Sequence, residues 1–158
     1  MRNLESDPSW KGVRYLYWFT VFILAFSGFG QMPIYKRYYL ADIPGMAWAA
    51  DFYSTHYLHY LASVLLIALA TYFAAGYLVD IRKRLRLTPS GWFRVFVVGG
   101  LLGSGALLVV QNFPGYHFAP GVIIFLDLFH MGFAMLLLSS GFYCILKKKK
   151  WTLPRLGR

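Results

Sequence analysis

Apolar residues dominate four stretches of the chain, Tyr15–Met32, Phe52–Val79, Trp92–Val110 and Gly121–Leu146, and the charged residues gather between and beyond them. Each stretch reaches the roughly 18 to 20 residues that an α-helix needs to cross a bilayer. The second and fourth are long enough to tilt or to project past the hydrocarbon. In lipid a spanning segment must satisfy its own backbone hydrogen bonds, so the pattern predicts helices throughout. The expected architecture is all-α, an integral membrane four-helix bundle with residues 1–158 as a single domain. Low-complexity sequence is confined to Lys147–Lys150, and no internal repeat is evident.

Composition agrees. The chain is 58% hydrophobic and 20% aromatic with 14% charged residues, and its mean hydropathy of +0.51 lies outside the range of a soluble domain of this size. The net charge of +10 reads as a topology signal. Arg2, Lys11 and Arg14 precede the first span, and Arg82, Lys83, Arg84, Arg86 and Arg94 lie between or just inside the second and third. Lys147–Lys150, Arg155 and Arg158 follow the fourth, while only Lys36 and Arg37 fall on the other side, where Asp42 and Asp51 offset them. The positive-inside rule then puts both termini in the cytoplasm and the protein in an inner (cytoplasmic) membrane as a multi-pass component. A basic surface committed to the membrane leaves no case for nucleic acid as a partner.

A cleavable signal peptide is not expected, because the first apolar run follows a polar lead and lacks a small-residue cleavage site. Cys144 is the single cysteine, which excludes a disulfide framework or a thiolate cluster within this chain. The connection from Pro33 to Asp51 carries Tyr35, Tyr38, Tyr39 and Trp48 around a Pro44-Gly45 turn. It reads either as an aromatic belt at headgroup level or as a docking surface for a periplasmic subunit. The connection from Gln111 to Pro120 places His117 at the outer surface, where a histidine is usually just solvated.

Two histidines carry the chemical signal. His59 lies seven residues inside Phe52 and His130 nine inside Gly121, so both sit on the order of 10–13 Å into their helices. Imidazoles at matched depth on facing helices can fill the two axial positions of a haem iron, and a histidine within a span is a functional candidate by default. Phe133 and Ala134 follow His130 on its face, and Ala62 and Ser63 follow His59, the small residues leaving room for a flat macrocycle. His56, one turn from His59, is an alternative ligand, a hydrogen-bond donor to a propionate, or a headgroup contact. Asp127, three residues before His130, could orient an imidazole, take part in quinol proton transfer, or place its charge at the positive end of its helix. Gly99, Gly103 and Gly105, with Gly100 and Ser104 between, form a small-residue stripe that suits close helix packing or a haem face.

These segments resemble the cytochrome b (gamma) subunit of membrane-bound formate dehydrogenases. The likeness covers most of the chain, through a first helix ending in Ser27-Gly28, a second opening Tyr57-Leu58-His59 and a fourth opening Leu128-Phe129-His130. It implies an outer haem held by His59 and His130. The family's inner haem takes one histidine near the start of the first helix and another fourteen residues after the fourth-helix ligand. Here those places hold Arg14-Tyr15-Leu16-Tyr17-Trp18 and Cys144, so the resemblance implies a single haem b.

The expected function is therefore a membrane-anchoring cytochrome b subunit of a respiratory oxidoreductase complex. It would pass electrons between a periplasmic iron–sulfur or cytochrome c subunit and the quinone pool, with substrate catalysis in another subunit. With one haem on the outer side, quinone is expected at the same depth, with Asp127 and His56 as proton-handling candidates and Lys36 and Arg37 near haem propionates or headgroups. The rival readings are a haem-free anchor or assembly subunit and a small transporter component.

Overall fold

The computed structural model describes residues 8–32, 34–81, 85–148 and 152–154. Of the topology-bearing cations, Arg2, Arg82, Lys83, Arg84, Lys149, Lys150, Arg155 and Arg158 lie outside the described residues. Four described helices are long and apolar enough to cross a membrane: Gly12–Gln31, Phe52–Val79, Pro89–Val110 and Pro120–Leu146. These helices lie at nearly the positions read from the apolar pattern. The chain divides into two compact units, 1–75 and 76–158.

The first unit begins with α1, Pro8–Gln31. It starts earlier than its apolar stretch because a proline at the first helical position needs no hydrogen bond and has a preset φ. After α1 come a short helix α2, Ile34–Arg37, and two 3-10 turns, Leu40–Asp42 and Ala47–Ala50. Helix α3 runs Phe52–Gly76. Its start is capped by Asp51, whose Oδ2 accepts from the Ser54 backbone N–H at 2.8 Å, satisfying one of the orphan donors of the first turn. The connection folds back onto α1. Tyr35 Oη donates to the Phe26 carbonyl at 2.8 Å, and the Phe26 ring packs at 5.2 Å from Tyr35 and 5.8 Å from Trp48. The aromatics of this connection thus divide. Tyr35 is buried as a strap on the end of α1, while Tyr38 and Tyr39 are exposed, Tyr39 in the left-handed region at φ 58°.

The second unit opens with a π-helical turn, Tyr77–Ile81, which continues the apolar run of α3. Helix α4, Pro89–Val110, is capped by Thr88, whose side chain accepts from the Gly91 N–H at 3.0 Å, and proline again occupies the first turn. Helix α5, Pro120–Leu146, also has proline in its first turn but no side-chain cap. The two pack along their length around Val97, Leu101 and Phe133, with Ala134 and Leu137 against them. A two-stranded antiparallel ribbon, β1 Leu85–Leu87 with β2 Thr152–Pro154, ties the start of this unit to the segment after α5. The all-α expectation did not include it; three-residue strands carry too little alternation to be read in advance.

The interhelical connection within each unit turns on the same device. Gly45 has φ 86° and Gly115 φ 91°, each preceded by proline. The enclosing bonds are Met46 N–H to Ile43 O at 2.9 Å and Tyr116 N–H to Phe113 O at 3.2 Å. Proline then glycine at positive φ inside such a bond is the type II turn, which an L side chain at the second position would strain.

Candidate functional site

In the first unit α1 and α3 run antiparallel and meet through small residues. A Cβ at Gly30 would stand 2.6 Å from Thr55 Cγ2 and 3.1 Å from Ala49 O, and one at Gly28 would stand 3.4 Å from His59 Cε1. The partner of Gly28 is thus later in α3 than the partner of Gly30, as antiparallel packing requires. Ser27, fully buried, places its Oγ 3.0 Å from His59 Nδ1. The same hydroxyl lies 2.7 Å from the Ile23 carbonyl one turn earlier, with Leu24 O more distant at 3.3 Å.

The second unit repeats this arrangement. Ser104, buried, places its Oγ 2.9 Å from His130 Nδ1 and 2.7 Å from the Gly100 carbonyl, with Leu101 O at 3.2 Å. A Cβ at Gly105 would stand 3.3 Å from His130 Cε1. Helix serine, following glycine and histidine on the next long helix therefore recur with matching distances. The Leu101 carbonyl also belongs to the cluster around the serine hydroxyl, at 3.2 Å.

A serine hydroxyl has one hydrogen. At 2.7 Å, a strong O–H···O separation, that hydrogen goes to the carbonyl four residues back, a bond serine commonly makes inside membrane helices. With its hydrogen on that carbonyl, the oxygen faces the imidazole as an acceptor and Nδ1 takes the donor role. A neutral imidazole has one N–H, and Nε2 carries the lone pair. This is the tautomer in which histidine ligates a metal through Nε2 with its other nitrogen held by a second residue.

The other sequence candidates occupy distinct places. His56 lies one turn from His59, half-buried; its Nδ1 is 2.9 Å from Gln31 Oε1. Its ring stacks on Phe52 at 5.1 Å and meets Tyr60 at 4.3 Å. Asp127 is exposed on α5, one turn before His130. Lys36 and Arg37 form the exposed last turn of α2, His117 is exposed in the α4–α5 connection, and Cys144 is buried in the last turns of α5. Among the described residues no cluster of three or more His, Cys, Asp or Glu side chains could hold a metal ion. A porphyrin supplies four equatorial nitrogens itself, so a haem asks the protein only for axial donors, a role that imidazole chemistry can fill.

The small-residue stripe needs a correction in detail. Gly99 and Gly103 have nothing within 4 Å of an added Cβ, whereas one at Gly100 would fall 2.6 Å from the Phe133 ring. The approach of α5 to α4 therefore runs along Gly100, Ser104 and Gly105. The signal missed in the sequence was the serine in each pair, which a span-level reading counts only as a small residue.

No protein-family model matches the chain, and neither does any curated protein or solved structure.

Proposed function

We propose that the chain is a membrane-embedded cytochrome b subunit of a respiratory oxidoreductase complex, with His59 and His130 as the axial ligands of one haem b. The observation that carries this reading is the duplicated serine–histidine arrangement, which prepares two imidazoles, one in each unit, for the same donor role. It also favours His59 over His56, because only His59 has the counterpart of the Ser104 contact. The haem, when bound, supplies one-electron transfer. The chain's own residues hold the imidazoles, fix their tautomer and surround them with apolar helix, which limits access of water.

On this reading the external redox partner is a periplasmic iron–sulfur or cytochrome c subunit, and electrons pass between it and the quinone pool. Asp127 and His56, each three residues before a proposed ligand, are the groups available for quinone-linked protons. Lys36 and Arg37 serve haem propionates or lipid headgroups. The positive-inside pattern orients the termini to the cytoplasm, in an inner membrane.

The deciding measurement is the reduced-minus-oxidised absorbance spectrum of the intact protein purified from haem-sufficient cells. A low-spin haem b signal at one haem per chain supports the reading. A purified, folded chain without haem would overturn it in favour of an anchor subunit.

A further inference from the structure

We infer that Ser27-Gly28 and Ser104-Gly105 are positioning residues that prepare an equivalent imidazole donor in each unit. The functional sense of this rests on the haem reading; the tautomer of each ring is a property of its own helix pair and can be measured without haem.

The case for equivalence is built from several independent correspondences. Each serine bonds the carbonyl four residues back at 2.7 Å and meets a histidine Nδ1 at 2.9 to 3.0 Å. Each is followed by glycine, and an added Cβ there would come within 3.3 to 3.4 Å of the ring's Cε1. Each histidine has a polar residue three positions before it, His56 or Asp127. Each serine-bearing helix leads into a connection with a Pro-Gly type II turn, Pro44-Gly45 or Pro114-Gly115. The serine-to-histidine separations, 32 and 26 residues, differ because the first connection also holds α2 and two 3-10 turns. One serine–histidine contact is an ordinary way to satisfy a polar group in a membrane helix. The same contact twice, with the same glycine and turn, is a repeated design.

The glycine and serine do different work. Glycine lets the imidazole lie against the helix backbone, and serine selects which nitrogen keeps its proton. Donation from Nδ1–H to the serine oxygen makes Nε2 more basic, and partners of this kind are typically worth about 10–100-fold in metal affinity. Imidazoles prepared alike would offer a haem iron equivalent nitrogen donors, and the group would supply one-electron transfer.

The test uses the full chain in lipid nanodiscs with ring-15N-labelled histidine and no added haem, the signals assigned with His59→Gln and His130→Gln. In the wild type both rings should show the Nδ1–H tautomer. Ser27→Ala should alter His59 alone and Ser104→Ala His130 alone. Ser→Thr at either position should restore the wild-type signal, because threonine can bond the same carbonyl. An Nε2–H tautomer in the wild type, or unchanged rings in both Ala variants, overturns the inference. Hemin titration of the same samples should show each Ala variant weakened about 10-fold or more and each Thr variant close to wild type; equal affinities throughout overturn the positioning role. Failure of the wild type to bind hemin, with the tautomers as expected, would remove the haem reading and leave the duplicated clips standing.

Discussion

Ser104 Oγ stands 2.9 Å from His130 Nδ1 while its own hydrogen is directed to the Gly100 carbonyl at 2.7 Å. On the proposed reading, a serine that looks like packing material in an apolar helix sets which nitrogen of a histidine on the next helix is the donor to iron. Ser27 and His59 stand in the same relation at 3.0 Å.

The first prediction separates the four histidines. His59→Ala and His130→Ala should each abolish the low-spin haem b spectrum, and His117→Ala, at an exposed position, should leave it unchanged. His56→Ala should keep the spectrum, since the Gln31 Oε1 contact of His56 is separate from the serine contact of His59. Retention of a full signal in the His130 variant would reject the ligand pair.

How much of this could be read in advance depends on the range of the interaction. Spans are local: a run such as Phe52–Val79 declares itself by composition, and the structure forms it as α3 and the π-helical turn that continues it. Helix starts at Pro8, Pro89 and Pro120 were also within reach of local rules, although Pro120 reads equally well as a turn residue. The histidines were visible because a polar ring within a span is costly. Ser27 and Ser104 were not, because serine satisfies itself on its own helix and its second role needs a partner 26 to 32 residues away. The recurrence of the serine–histidine contact escaped for the same reason. It consists of three-dimensional relations among a few residues within otherwise interchangeable apolar sequence.

A second prediction concerns the cap of α3. Asp51 is held below the usual carboxylate range by hydrogen bonds to the Ser54 side chain and then to its backbone N–H. A carboxyl depressed in the folded chain stabilises it above the ordinary carboxylate range, and the contribution fades as pH falls through the lowered value. Hydrogen exchange at the Ser54 and Thr55 amides should accelerate, relative to the intrinsic rate, as Asp51 is protonated. Asp51→Asn should flatten that dependence while retaining a cap, and Asp51→Ala should raise exchange at every pH. A wild-type profile as flat as that of Asp51→Asn would mean the carboxylate does not cap α3.

The third prediction is topological. With Lys36 and Arg37 the sole cations in the connection between α1 and α3, reporter fusions near Asp42 should be periplasmic and those at Arg86 and Arg158 cytoplasmic. The opposite labelling would mean that the charge bias does not orient this chain and would move the proposed haem and its redox partner to the other face.

The final prediction tests the closest helix approach in the second unit. A Cβ at Gly100 would fall 2.6 to 2.8 Å from three atoms of the Phe133 ring, and that ring is buried against Val97 and Leu101 with Phe129 at 4.6 Å and Phe96 at 5.5 Å. The ring has little room to retreat, so Gly100→Ala should destabilise the α4–α5 pair by about 1–3 kcal/mol, the usual cost of overpacking a filled core. Phe133→Leu should also destabilise, by leaving space unfilled. Combined, the added methyl group would enter the space the ring vacated, and the double variant should be more stable than the two separate losses imply by about 0.5–3 kcal/mol. Unfolding in mixed micelles, followed for all four proteins, measures that coupling. Additive losses would show that Gly100 and Phe133 do not touch. Gly99→Ala, at a position with nothing within 4 Å, is the matched control and should cost nothing, because alanine is the better helix former.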